Sequence, residues 1–210
     1  MKKIVILFVV IAAMAVSAQE QETLFFGDIE SGGFGGPSVK VTNINNKFAV
    51  LAGAYGGWLI NHQYFIGGGG FGLVTPQKAD AVVSRMINFG NDTYFQFAYG
   101  GLMLGYTGQP EKLFHYSAML LIGGGESSYS KKNMFHISHS DGYNYDEDLL
   151  IRDEFFVLEP TIHGELNVAS FMKVGLGFSY RIVAGNNLLD VSNSDLSGPS
   201  AVLDLKFGSF

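Results

Sequence analysis

Residues 48–77 form a stretch of 30 positions without a single Asp, Glu, Lys or Arg. The stretch is rich in Gly, Ala, aromatic and β-branched residues, and it reads as two strands joined by a turn at 61–63. A water-soluble β-barrel would place charged side chains on the outer face of such strands. A membrane barrel needs a lipid-compatible outer face instead, and small residues can line its narrow interior. The stretch therefore favours a β-barrel that spans a membrane.

The rest of the chain has the same strand character. Aromatic and β-branched residues cluster in segments bounded by turn residues, and the many glycines would be costly in any helix. We therefore predict an all-β fold, an antiparallel up-and-down transmembrane β-barrel of about eight strands that occupies residues 38–210. The predicted strands are 38–44, 47–60, 64–75, 93–106, 114–127, 154–168, 171–184 and 199–210.

The connections between these segments alternate in length. The predicted turns at 61–63, 107–112 and 169–170 are short, whereas the connections at 76–92, 128–153 and 185–198 are longer. The first connection, at 44–46, departs from this pattern because it is short as well. Short periplasmic turns and longer outer loops are typical of bacterial outer-membrane barrels, whose two chain ends both lie on the periplasmic side.

The N-terminal segment predicts export. Met1, Lys2 and Lys3 precede an apolar run that ends at Val16-Ser17-Ala18, before a polar segment. A basic start, a short apolar run and small residues describe a secretory signal peptide, residues 1–18, cleaved after Ala18. Residues 19–37 read as a polar, Gly-rich leader. Because the chain contains no Cys, a lipid-anchored lipoprotein is excluded.

Composition and charge narrow the function classes. Charged residues make up 15% of the chain and hydrophobic residues 47%, yet the part after residue 18 has no run of 18 or more apolar residues that would predict a membrane helix. Removing residues 1–18 leaves 11 basic against 19 acidic residues, a formal charge of −8. An acidic chain without a basic patch argues against nucleic acid as a partner.

The predicted sixth and seventh strands alternate with a period of two, with one apolar and one polar face. The polar face predicts a lumen network of five residues: Glu159, His163, Glu165, Lys173 and Arg181. An odd-length turn centred on Ala169 would set Glu165 directly opposite Lys173. This network is interpreted as a filled lumen with paired charges. An ion or proton path, or a catalytic His–Glu pair, is the alternative.

Two further patterns bear on chemistry. Residues 67–72 match G-x-G-x-x-G, but strand and turn residues follow where a dinucleotide site needs a helix. His136, His139 and Asp141 lie together in the longest loop, 131–153, but their spacing does not match an EF-hand. We predict no catalytic residue, no cofactor and no metal site.

The last segment carries a resemblance to a known class of proteins. Leu203, Leu205 and Phe207 alternate, and Phe210 ends the chain out of phase with them. This pattern resembles the C-terminal assembly signal of small bacterial outer-membrane β-barrel proteins of about eight strands, most of them uncharacterised. The resemblance implies a Gram-negative outer-membrane location, contact with outer-membrane lipid and assembly by the barrel machinery through the C-terminal strand.

Four functions remain open on this sequence. The first is a non-enzymatic structural or surface-interaction barrel that acts through its outer loops. The others are a narrow pore, a lipid-modifying barrel enzyme and a secreted, lipocalin-like barrel that binds a ligand. A lipocalin-like barrel has the same alternation with its apolar face inward.

Overall fold

The computed structural model describes residues 30–79, 93–130 and 149–210. Those residues form a closed antiparallel barrel of eight long strands, with one two-residue strand added at its rim. The strands are β1 Ser31–Ile44, β2 Lys47–Ile60, β3 Tyr64–Leu73, β4 Gln77–Lys78, β5 Tyr94–Gly108, β6 Phe114–Ser130, β7 Leu149–Ala169, β8 Met172–Ala184 and β9 Gly198–Ser209. A single helical turn, α1 Asn193–Leu196, precedes β9. The predicted eight-stranded fold class is confirmed.

Strand order follows chain order around the barrel. The sheet runs β3-β2-β1-β9-β8-β7-β6-β5, and β3 pairs with β5 to close it. We call the end where β1 begins and β9 ends the termini end; it carries the short turns 61–63, 109–113 and 170–171. The opposite, loop end carries the turn 45–46 and the connections between β3 and β5, β6 and β7, and β8 and β9. The predicted alternation of short and long connections therefore matches the strand bounds.

The first strand begins earlier than the sequence predicted. Residues 31–37 were assigned to a leader, yet they belong to β1 and pair with β2 along their whole length. Gly and Pro usually indicate the end of a strand, but in β1 they are paired within the sheet. Pro37 has no N–H to donate, and the ladder between β1 and β9 is interrupted at Gly36 and Pro37. A Cβ on Gly36 would collide with the carbonyl of Leu205, so the close approach of β9 requires glycine.

The turns explain how neighbouring strands are joined so tightly. Asn45 and Asn46 connect β1 to β2 with φ of 53° and 57°. Two consecutive residues with positive φ make the type I′ turn that suits the twist of a hairpin, and Asn tolerates this conformation better than most residues.

Among the described residues, no helix has the length and apolar character needed to cross a membrane.

The β7–β8 hairpin corrects a predicted register. Glu165 pairs with Gly175, and Asn167 pairs with Lys173. The predicted direct pairing of Glu165 with Lys173 is therefore wrong by two residues. The cause is a register shift between Asn167 and Ala169 beside a turn at 170–171, one residue further along the chain than the predicted turn. Such a bulge inserts an unpaired residue into one strand, here Val168.

The two faces of the barrel wall differ in chemistry. Every charged side chain that is buried in the described strands points into the lumen, together with aromatic residues that form an apolar core. The outer face exposes large apolar side chains, among them Trp58, Leu102, Ile162, Phe178 and Leu203. This arrangement is the reverse of a soluble lipocalin-like barrel, so that alternative is wrong.

Candidate functional site

The lumen is the candidate site because it concentrates buried charge. Among the described residues, four cations and three carboxylates are buried inside the barrel: Lys40, Lys173, Arg181, Lys206, Glu159, Glu165 and Asp204. His115 and His163 are buried beside them. Charges inside a barrel wall are expensive unless each finds a partner, so their contacts define what the lumen can do.

Glu159 forms the cluster nearer the loop end. Lys40 Nζ lies 2.6 Å from Glu159 Oε2, and Tyr99 Oη donates to the same oxygen at 2.7 Å. Ser179 Oγ donates to Oε1 at 2.7 Å. Lys40 Nζ also stands 3.5 Å from the centroid of the Phe71 ring, a cation–π contact. Four strands, β1, β5, β7 and β8, thus meet at one carboxylate.

Glu165 forms a second cluster nearer the termini end. Lys206 Nζ lies 2.6 Å from Glu165 Oε1, and Ser117 Oγ donates to the same oxygen. His115 Nε2 is 3.3 Å from Oε2. The cation that pairs with Glu165 is therefore Lys206 of β9, which was not among the predicted partners, and Lys173 makes no ion pair with a described residue.

Asp204 lies between these clusters along the barrel axis. Tyr55 Oη donates to Asp204 Oδ2 at 2.8 Å. His163 Nε2 is 2.9 Å from the same oxygen, close enough for an ion pair, although the ring N–H does not point at it. Ser117 sits opposite His163 in the β6–β7 ladder but gives its hydrogen bond to Glu165. Among the described residues, Asp204 thus lies beside His163, and no serine hydroxyl is hydrogen-bonded to the imidazole as a nucleophile would be.

Arg181 links the lumen to a plug at the loop end. Its side chain is fully buried, and Nε donates to the carbonyl of Leu196 at 2.6 Å. The Arg181 guanidinium stands 5.0 Å from the Phe97 ring centroid, and neither Nη has a hydrogen-bond partner among the described residues. The connection between β8 and β9 folds into the mouth, where Leu188 and Val191 are buried with Leu196. This connection was predicted to be an outer loop available to partners, and those three side chains are not.

Asn186 anchors the same connection. Ser127 Oγ on β6 donates to Asn186 Oδ1 at 2.5 Å, and Asn186 Nδ2 donates to the Val191 carbonyl at 2.7 Å. We call residues 185–197 the plug segment. Its hydrogen bonds to the wall satisfy backbone and side-chain groups that would otherwise be buried without partners.

At the termini end, Phe210 turns into the mouth. Its ring stacks on Phe34 at 5.8 Å between centroids, and Lys173 Nζ lies 4.2 Å from the Phe210 centroid. Leu203 and Phe207 face outward and are exposed, and Leu205, on the same face, is half-buried. Phe210, which is out of phase with the alternating Leu203, Leu205 and Phe207, is thus the residue that turns inward. The assembly role of these four residues stays a prediction.

The structure places all five residues of the predicted lumen network inside the barrel. Sequence reasoning missed four of their partners: Lys40, Tyr99, Asp204 and Lys206. A signal for three of them was present, because Lys40 alternates with Val39 and Val41, and the two charges of β9 alternate with outward apolar residues. The predicted polar face was confined to the hairpin of β7 and β8, so these positions were not assigned to it.

Several predicted features lie outside the described residues: the signal peptide 1–18, residues 19–29 of the leader, and the His136, His139 and Asp141 group. Within the residues that the structure does describe, no group of three His, Cys, Asp or Glu side chains is placed to hold a metal ion.

Comparison with known proteins gives the fold its context. No protein-family model matches the chain, and no curated protein matches it. Among solved structures, Neisserial surface protein A has a TM-score of 0.56 at 11% identity, over 87% of this chain and 99% of its own. A major outer membrane protein from Thermus thermophilus scores 0.49 at 7% identity, over 84% and 99%. Ail, the attachment invasion locus protein of Yersinia pestis, scores 0.47 at 10% identity, over 87% and 99%.

Identities this low speak for the fold alone. The likeness to Neisserial surface protein A spans nearly all of both chains, and the closed barrel of eight long strands accounts for it. The chain has the fold of the small eight-stranded outer-membrane β-barrel proteins.

Proposed function

We propose that the chain is a non-enzymatic outer-membrane β-barrel protein with a structural or surface-interaction role, acting through the connections at its loop end. A continuous apolar outer wall fits it to lipid, and the sequence predicts the export signal that would bring it there. Outer-membrane lipid and, through β9, the barrel-assembly machinery are its proposed partners.

The observation that carries the proposal is the filled lumen. Ion pairs centred on Glu159 and Glu165 cross the interior, the plug segment packs into one mouth, and Phe210 packs into the other. An eight-stranded barrel is only wide enough for side chains to fill. Transport through such an interior would require several charged contacts to break together, so the rim is left as the surface that meets partners.

The first test is conductance. The full chain, purified in detergent and reconstituted into planar lipid bilayers, should give no steady single-channel current. A reproducible conductance that scales with salt concentration would contradict the proposal and favour the narrow pore.

The second test is topology and location. An epitope tag inserted in the predicted loop 128–153 should be reached by antibody on intact cells, whereas the same tag in the turn 109–113 should be reached only after the outer membrane is opened. Fractionation should place both variants in the outer membrane. Tags that behave in the opposite way would invert the barrel and remove the loop end as the outer surface.

A further inference from the structure

β7 extends further at the loop end than its neighbour β8. The last pair between the two strands joins Phe156 to Ala184, after which Gly185 turns the chain into the plug segment. β7 itself begins at Leu149 and is paired with β6 from there on. Residues 149–155, which we call the overhang, therefore have a strand on one side and, within the described chain, none on the other.

The overhang stands beyond the lipid-facing wall. The outward residues of β7 are apolar from Phe156 to Val168, whereas Arg152 and Glu154 of the overhang are charged and exposed. Glu126 of β6, which pairs with Glu154 in the ladder, adds a third charge at the same level. A lipid-facing surface does not carry charges in this way, so the overhang lies in water beyond the part of the barrel that lipid or detergent covers.

The second side of the overhang is an open sheet edge. In an antiparallel sheet, alternate residues direct their backbone N–H and C=O groups away from the strand already paired. In the described chain, no backbone–backbone hydrogen bond joins residues 151–155 to anything but β6. A bulge opposite Tyr129 and Ser130 leaves Leu150 unpaired, so the regular edge is 151–155. Such an edge is a template for one more strand.

The charges on the edge indicate which strand fits it. Arg152 and Glu154 lie on one face; Arg152 Nη1 is 4.0 Å from Glu126 Oε2, and Glu154 makes no ion pair with a described residue. An added antiparallel strand would pair both charges if it placed an acid opposite Arg152 and a base opposite Glu154.

The overhang of a second copy meets this requirement. When Asp153 of each copy lies opposite Asp153 of the other, each Arg152 lies opposite a Glu154, and the contact is two-fold symmetric. Moving the register by two residues in either direction would set Arg152 against Arg152 or Glu154 against Glu154, and like charges directly opposite each other are destabilising.

Strand direction determines where the second copy lies. Every copy of β7 runs from the loop end to the termini end. Two copies in one membrane have these strands running the same way, whereas two copies in facing membranes have them running in opposite directions. Antiparallel pairing of the overhangs therefore joins barrels across two membranes.

We propose that the overhangs of two copies in facing membranes pair as antiparallel strands, centred on Asp153 and with two Arg152–Glu154 ion pairs. The contact is short, and its strength comes from repetition over many copies. The inference rests on the proposed function in requiring the loop end to face outward, and it names the partner as a second copy of the chain.

Asp153 is the adverse position of this register, because its two carboxylates come opposite each other. Each carboxylate lies on the other face of the strand from Arg152, where Oδ2 accepts the Asn187 N–H. An asparagine oxygen can accept the same N–H without the charge. Asp153→Asn should therefore strengthen the vesicle aggregation that tests the pairing.

The test uses the full chain in vesicles of neutral phosphatidylcholine, at low salt because exposed ion pairs are screened. Vesicles with the unaltered chain carry one dye, and vesicles with the double variant Arg152→Glu/Glu154→Arg, which has the same net charge, carry a second dye. Each edge complements itself, but across the two populations Arg faces Arg and Glu faces Glu. Light scattering should show that each population aggregates, and two-colour fluorescence correlation should show loss of mixed aggregates.

Two results would overturn the proposal, once a heat-dependent gel shift shows that both proteins are folded. The first is mixed aggregates as abundant as unmixed ones. The second is unaltered vesicles that stay dispersed although protease added outside cleaves their loop ends. Conductance and the exposure of epitope tags do not depend on this pairing, so either result would leave the proposed function standing.

A pair of peptides tests the edge without any variant. Nα-acetyl-Ile-Arg-Asp-Glu-Phe-amide, the sequence of residues 151–155, should occupy the edge and disperse aggregates of the unaltered chain. Its isomer Nα-acetyl-Ile-Glu-Asp-Arg-Phe-amide has the same composition and charge and should disperse aggregates of the double variant alone. Equal action of the two peptides on the unaltered chain would count against the pairing.

Discussion

At the scale of single residues, two carboxylates in the lumen each bind a cation from a strand at the seam where the chain ends meet. Glu159 pairs with Lys40 of β1, and Glu165 pairs with Lys206 of β9, each at 2.6 Å. Both contacts join strands that are far apart in sequence. They therefore contribute to the register of the closed barrel, and they compensate two of its buried negative charges.

The pairing of Glu165 predicts unequal effects for two substitutions. Glu165→Gln should lower the free energy of unfolding by about 3–5 kcal/mol, because it leaves the buried Lys206 ammonium without its carboxylate. Lys173→Met should cost much less, since the ion pair of Glu165 is made with Lys206 and Lys173 makes no ion pair with a described carboxylate. The measurement is denaturant unfolding in detergent micelles. If the two variants lost equal stability, the hairpin would have the register that places Glu165 opposite Lys173.

The residue scale also shows where sequence reasoning stops. Alternation in 154–184 put Glu159, Glu165 and Lys173 on the polar face, and the structure has them inside. Their partners were out of reach because a shift of two residues returns every side chain to the same face, so a period-two pattern does not report it. The pairing of Glu165 with Gly175 instead of Lys173 is such a shift, and nothing in the local residue types marks the bulge at Val168 that accompanies it.

At the scale of elements, the plug segment is a connection that the sequence misassigned. Its many Asn, Ser and Asp residues read as a solvated loop. Its apolar residues were the available signal, but a connection has no period that would say which of them turn inward. In the structure, the position of the segment is fixed by hydrogen bonds from the barrel wall, donated by Ser127 of β6 and Arg181 of β8.

Two adjacent leucines test the plug. Leu188 is 4% exposed and Leu189 is 37% exposed. Leu188→Ser should destabilise the folded chain by about 2–5 kcal/mol, the range for emptying a well-packed leucine site, whereas Leu189→Ser should have little effect. Denaturant unfolding measures the loss, and limited proteolysis measures release of the segment. Equal sensitivity of the two variants to protease would mean that the segment does not pack in the mouth.

At the scale of the whole molecule, the closed barrel predicts a heat-dependent change in gel mobility. All eight long strands are paired on both sides, so detergent meets no free edge at which to begin unfolding. Unboiled samples should migrate differently from boiled ones on denaturing gels. A single position for both samples would contradict a barrel that is closed and stable in detergent.

The architecture was the most predictable level. The charge-free stretch 48–77, the strand count and the alternating connection lengths were all readable, because lipid outside and a narrow interior constrain composition along the whole chain. The start of β1 was not predictable, because Gly35, Gly36 and Pro37, taken by themselves, indicate the end of a strand. Their place in the sheet depends on the close approach of β9, a strand about 170 residues further along the chain in the observed register.

That seam between β1 and β9 has a consequence for how the chain folds. In the described part of the chain, all other pairings join long strands that follow one another in sequence, so the hairpins can form one at a time. The seam alone must bring the first and the last long strand together, at the highest entropic cost and with a ladder interrupted at Gly36 and Pro37. We expect it to form last. Until it does, the chain is an open sheet with two unsatisfied edges, which is the species most prone to pair with a strand from another molecule.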